Sequence, residues 1–177
     1  VSLFWQDDVA IRKMPIGGGA ITVLDNVRPN TPTAGLALLG GKITYASVDD
    51  IRFVPTIGAN TSPQVRTIVK ASSRVTALHV ISNELYWGEQ SGAVRRKIGA
   101  NIKTFPSIMG IVPTSISSNL GGTIVWSQCG SQSCRLRFEF PAITGPTQPV
   151  GADALGVSVT SSGVFWGDSA GVHRRTF

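Results

Sequence analysis

The 177-residue sequence predicts an all-β chain of four-stranded antiparallel blades, about five repeats of them, arranged as a β-propeller. Three observations predict it. An apolar–x–aromatic unit recurs at Leu3-Phe4-Trp5, Ile43-Thr44-Tyr45, Leu85-Tyr86-Trp87, Ile124-Val125-Trp126 and Val164-Phe165-Trp166, with its aromatic anchors 40, 42, 39 and 40 residues apart. The chain is poor in charge (15%) and rich in turn formers, with 20 Gly and 10 Pro, which favours short strands. No segment places apolar residues at i, i+3, i+4 and i+7 over three turns, so amphipathic helices are not expected.

Each element of the repeat has its own signal. The first strand alternates apolar and small residues, as in Leu155 to Thr160, with Leu36 and Leu38, Leu78 and Val80, or Val157 and Val159 nine and seven residues before the anchor. Repeat four breaks that column, its Ile116 being displaced by one position. A Gly-containing turn follows (Gly40-Gly41, Gly121-Gly122, Ser162-Gly163) and supplies the positive φ that tight hairpins need. The second strand carries the anchor, Trp5, Tyr45, Trp87, Trp126 or Trp166, on the same face as the apolar residue two before it. All four Trp residues of the chain stand at this one position. A third strand, such as Ala10 to Ile16 or Ile51 to Thr56, carries a basic column: Arg12, Arg52, Arg95, Arg137 and His173. A weaker fourth strand precedes the next repeat. One such sheet cannot bury both faces alone, so the anchors are expected to fill the layer between neighbouring sheets.

The stretches Leu85-Tyr86-Trp87-Gly88-Glu89 and Val164-Phe165-Trp166-Gly167-Asp168, with Gly92-Ala93-Val94-Arg95 and Gly171-Val172-His173-Arg174, resemble YWTD-type and related propeller repeats of bacterial secreted proteins and lipoprotein-receptor ectodomains. The resemblance spans nearly the whole chain and implies architecture more than activity. One propeller domain over 1–177 is expected, with repeats near 1–30, 31–71, 72–112, 113–152 and 153–177. The first repeat opens at its second strand and the fifth stops after its third. The expectation is therefore a five-bladed ring with reduced end blades or a slice of a six- or seven-bladed one, completed by an oligomer or a further segment.

No apolar stretch reaches 18 residues, so no membrane-spanning helix is expected. The chain opens at Val1 without an initiator Met or a leader pattern, as after leader removal or in a fragment. The net charge of +6 suits an anionic partner, but no basic run with interleaved aromatics speaks for nucleic acid. Cys129 and Cys134, the two cysteines, flank the longer turn of repeat four. That placement fits a cross-strand disulfide and, from it, a secreted or periplasmic location. A metal site would need further ligands, and no metal or cofactor is expected.

Ten of the sixteen basic residues fall on third-strand segments. The first of each set is expected to pair with the acid after its anchor, as Arg12 with Asp7 or Asp8. Arg96, Lys97, Arg174 and Arg175 are surplus to such pairing and are the candidate binding residues for an acidic ligand or glycan. His79 is expected to face a neighbouring sheet as a satisfied, partly buried residue, and His173 to serve in its Arg column. Asp7-Asp8 and Asp49-Asp50 are expected as solvated turn residues. These readings lead to a non-catalytic binding or interaction module. The alternative is a lyase- or lactonase-type propeller enzyme with its site in the central channel, for which the first strands offer only one His. A surface-layer or adhesion role is a third reading, which these residues do not separate from the first.

Overall fold

The structure is a computed structural model that describes residues 1–28, 34–56, 65–105, 110–130, 134–140, 143–144, 148–150, 156–168 and 170–176. Leu155, Phe177 and the turn tip at 131–133 lie outside the described residues. Those described form strands and turns without a helix, and none of them belongs to a helix long and apolar enough to cross a membrane. Five antiparallel sheets follow one another along the chain, in two compact units, Val1–Val75 and Thr76–Phe177.

The first unit holds two sheets. Sheet one joins β1 (Ser2–Gln6), β2 (Ala10–Pro15) and β3 (Thr22–Asn26) in sequence order. Sheet two joins β4 (Leu36–Leu39), β5 (Lys42–Ser47), β6 (Asp50–Pro55) and β7 (Arg66–Lys70). Gly40 and Gly41, at φ 57° and 71°, make the two-residue turn between β4 and β5, where an L side chain would be strained. The next turn holds Val48 at φ 61°, an unfavourable conformation for a β-branched residue. Its carbonyl accepts the Val75 N–H at 2.7 Å, which ties the turn to the end of the unit.

The second unit holds three sheets. Sheet three runs from β8 (Val75–Ile81), whose first residue precedes the unit, through β9 (Glu84–Glu89) and β10 (Val94–Ile98) to β11 (Asn101–Phe105). Sheet four joins β12 (Val112–Ser118), β13 (Ile124–Cys129) and β14 (Cys134–Phe140). Its outer position is shared by two short strands, β15 (Ile143–Thr144) and β16 (Gln148–Val150). Sheet five joins β17 (Gly156–Val159), β18 (Gly163–Asp168) and β19 (Gly171–Thr176).

The register restores the columns that the sequence spacing blurs. Each anchor lies directly opposite its basic residue on the third strand: Trp5 opposite Arg12, Tyr45 opposite Arg52, Trp87 opposite Arg95, Trp126 opposite Arg137 and Trp166 opposite His173. The uneven separations in the chain are absorbed by turn length and, in β13–β14, by strands that stay paired as far as Cys129 and Cys134. Ile116 lies opposite Trp126, as Leu36 lies opposite Tyr45 and Val157 opposite Trp166. The hairpin loop of repeat four is longer, which is why Ile116 is displaced in sequence and not in space. A β-bulge between Pro113 and Ser115 then shifts the start of β12.

Within each unit the sheets pack face to face. In the first unit Ile11, Val27, Ile43, Tyr45 and Val54 form a buried cluster with Phe4, Leu24 and Leu36 against it. Sheets three and four share Ala77, Tyr86, Val94, Phe105, Ile116, Ile124 and Trp126. Sheets four and five share Val125, Leu136, Phe138, Val159 and Val164, with Val157 and Trp166 packed on them. The closeness of sheets three and four explains Gly88: a Cβ there would lie 2.5 Å from the Pro113 Cβ. First strands also cross-link by hydrogen bonds. Val157 and Val159 donate their N–H groups to the Ser115 and Ser117 hydroxyls at 3.1 and 3.0 Å.

Candidate functional site

The register places an acid, an aromatic and a base together in most repeats, because the residue two after the anchor shares the anchor's face. In sheet one Asp7 ion-pairs with Arg12 and accepts the Val9 and Ala10 N–H groups at 3.0 and 2.8 Å. The Arg12 hydrogen bond, then that from Val9, holds the Asp7 carboxyl below the usual carboxylate range. In sheet three Glu89 is fully buried, accepts the Trp87 indole N–H at 2.9 Å and pairs with Arg95 at 2.9 Å. In sheet five Asp168 lies 2.8 Å from His173, whose ring stacks on Trp166 at 5.3 Å. These three pairings follow the sequence expectation, and His173 does the work of the Arg it replaces.

The other two sheets depart from it. The residue two after Tyr45 is Ser47, so Arg52 instead takes Asp50 at 3.0 Å and Asp25 at 3.3 Å. Asp25 comes from β3 of sheet one and also accepts the Tyr45 hydroxyl. Burial, then the bond to Asp25, pushes the Tyr45 phenol well above its ordinary value. Sheet four has Gln128 two residues after its anchor in place of an acid, and Arg137 lies over the Trp126 ring at 5.9 Å. Gln128 is buried and donates to the Gly92 carbonyl of sheet three at 3.2 Å.

The expectation of solvated turns is corrected for Asp49 and Asp50. Asp50 is 14% exposed because it faces Arg52, and Asp49 lies 3.6 Å from Arg28 and 3.8 Å from Lys70. Among the described residues no group of three His, Cys, Asp or Glu side chains is arranged to hold a metal ion.

The four candidate binding residues do not converge. Neighbours on a strand point to opposite faces, so Arg96 and Lys97 diverge on β10, and Arg174 and Arg175 diverge on β19. Arg96 is not surplus to pairing: it donates to Glu84 at 2.9 Å and covers the Tyr86 ring at 5.8 Å. The Glu84 carboxylate also accepts the Tyr86 hydroxyl, and burial, then that bond, raises the Tyr86 phenol above its usual value. Lys97 donates to the Gly99 carbonyl at the end of its own strand. Arg175 reaches sheet four, where it lies over Phe138 at 5.4 Å. Arg174, in contrast, is exposed on the outward face of sheet five and lies over Phe165 at 5.6 Å. His79 is half-buried beside Tyr86, with ring centres 6.3 Å apart, and burial holds its imidazole below the usual value.

Cys129 and Cys134 occupy directly opposed positions of β13 and β14 and form a disulfide with Cα atoms 4.0 Å apart. It closes the base of the turn between β13 and β14, and such bonds persist in oxidising compartments.

Two features escaped sequence reasoning. Asp25 becomes the acid of repeat two through sheet packing, and no spacing within a hairpin signals it. Within the units, the middle residues Phe4, Tyr86 and Val125 of their triplets face the following sheet, a role that their large apolar side chains could have signalled.

No protein-family model matches the chain, and no curated protein matches it in sequence. Solved structures do match in fold. A structure of a nidogen/laminin complex superposes with a TM-score of 0.69 at 17% identity, over 99% of this chain and 71% of that one. The computationally designed Ika4 protein gives 0.66 at 13% identity, over 85% and 94% of the two chains. The designed Ika8 protein gives 0.70 at 14%, over 98% of this chain and 57% of that one. The successive antiparallel sheets are blades of a β-propeller.

Proposed function

We propose that the chain is a non-catalytic binding or interaction module, secreted or periplasmic, whose five sheets act as one propeller domain. The observation that carries this reading is the outward face of sheet five. It sets an exposed guanidinium, Arg174, over the Phe165 ring, with Val172 beside them 85% exposed. Arginine and aromatic side chains are the residues enriched where proteins hold partners. The disulfide supports the location, and the likeness to a structure from a nidogen/laminin complex supports a protein partner. The triplets Leu85-Tyr86-Trp87 and Val164-Phe165-Trp166 support kinship with YWTD-type propellers.

The finer reading is an acidic ligand, protein or glycan, drawn by the net charge of +6 and held at Arg174. Lys97 is its second candidate contact, on another sheet; Arg96 and Arg175 are engaged with Glu84 and Phe138 and contribute less. Binding to an immobilised sulfated polysaccharide tests it. Arg174→Ala is expected to lower affinity several-fold, more than Lys97→Ala, and unchanged binding by both variants removes the acidic-ligand reading.

A further inference from the structure

The three inter-sheet contacts inside the two units share one arrangement. The middle residue of a triplet meets the anchor of the next sheet: Phe4 clusters with Tyr45, Tyr86 with Trp126, and Val125 with Trp166. On the opposite face, the first residue of the next triplet is covered, with Ile43 and Val164 at 0% exposure and Ile124 at 2%. Among the described residues, sheets one and five each present one half of this arrangement without the other. On sheet one Leu3 is 50% exposed, Trp5 is only partly buried, and Val23, across the sheet beside Arg12, is 42% exposed. On sheet five Phe165 occupies the position of Phe4, Tyr86 and Val125. Arg174 lies over it from the directly opposed position, as Arg96 lies over Tyr86 where sheet three receives Trp126.

We infer that the anchor face of sheet one docks on the outward face of sheet five of a second copy, with Leu3 and Trp5 seated against Phe165 and Arg174. The inference rests on the interaction-module reading and names its partner. The occupant is dictated by continuity: the surface around Phe165 and Arg174 repeats the one that already accepts Trp126, and the surface around Leu3 and Trp5 repeats the one that bears Ile124 and Trp126. Each copy carries one face of each kind, so the contact is heterologous and copies join head to tail. Replacing solvent over Leu3, Val23 and Trp5 with an apolar face is the driving force.

Analytical ultracentrifugation of the 177-residue chain across micromolar to hundreds-of-micromolar concentrations tests it. The expected result is reversible association to at least twice the 18.7 kDa chain mass. Leu3→Lys and Phe165→Glu, each at a partly or largely exposed position, are expected to sediment as folded monomers, with circular dichroism matching the parent. An equimolar mixture of the two is expected to associate again, because the lysine of one face meets the glutamate of the other while each copy keeps one unaltered face. A parent chain that is monomeric throughout, either variant associating like the parent, or a mixture that stays monomeric overturns the inference. Binding of the Leu3→Lys monomer to the sulfated polysaccharide separates the two readings. If it binds while the parent fails to associate, the self-docking alone fails; if the parent associates and neither binds, the acidic-ligand reading alone fails.

Discussion

Removing Arg95 should destabilise the protein far more than removing any other base of its column, because the partner it leaves is Glu89. Glu89 is fully buried, with Arg95 at 2.9 Å and the Trp87 indole N–H at 2.9 Å. Breaking one side of a buried ion pair costs about 3–5 kcal/mol, since the remaining charge stays desolvated. Arg95 itself is 28% exposed, so water already screens part of the pair and the lower end applies. Arg95→Ala is therefore expected to lose about 3 kcal/mol, roughly a hundredfold in the folding equilibrium. Adding Glu89→Gln should recover about half of it, because a neutral amide keeps an acceptor for Trp87 without an unpaired charge. Arg12→Ala should lose clearly less, as its partner Asp7 is 36% exposed. Urea unfolding of the oxidised proteins, followed by tryptophan fluorescence, measures all of these. An Arg95→Ala loss within about 1 kcal/mol of the parent, or no recovery with Glu89→Gln, refutes the reasoning.

Further expectations follow from the packing. Trp126→Ala should cost about 3–5 kcal/mol in the same assay, and Trp5→Ala less than half of that in the monomeric Leu3→Lys background, where its face is open. Gly88→Ala should cost about 1–3 kcal/mol, read as a lowered urea midpoint, because the added methyl meets Pro113. Burial depresses the folded-state pKa of His79, so between that value and about 6.5 the unfolded chain binds the extra proton. Stability should thus be full above about pH 6.5 and decline as pH falls below it, and His79→Gln should flatten that part of a stability–pH profile. Opening the disulfide with Cys129→Ser/Cys134→Ser should lose about 2 kcal/mol, the value for so short a loop, without changing the circular dichroism.

What depends on neighbours along the chain could be read from residue order alone. Period-two alternation, Gly-containing turns and a forty-residue recurrence are consequences of a hairpin's own geometry, so Trp5, Tyr45, Trp87, Trp126 and Trp166 could be aligned without coordinates. The Asp7–Arg12 and Cys129–Cys134 pairs were legible for the same reason, since both span a single turn. Tertiary structure alone decided what depends on register and on the next sheet. A β12–β13 loop longer by one residue hid Ile116 from the spacing, yet left it facing Trp126. Alternation turned Arg96 away from Lys97 and onto Glu84 and Tyr86, and packing brought Asp25 from sheet one to Tyr45 and Arg52. Gly88 acquired its reason only when β12 passed within contact of it. Local geometry is written into residue order, whereas the partner of a side chain across a sheet interface is set by which faces stack, and stacking joins residues that the chain keeps far apart.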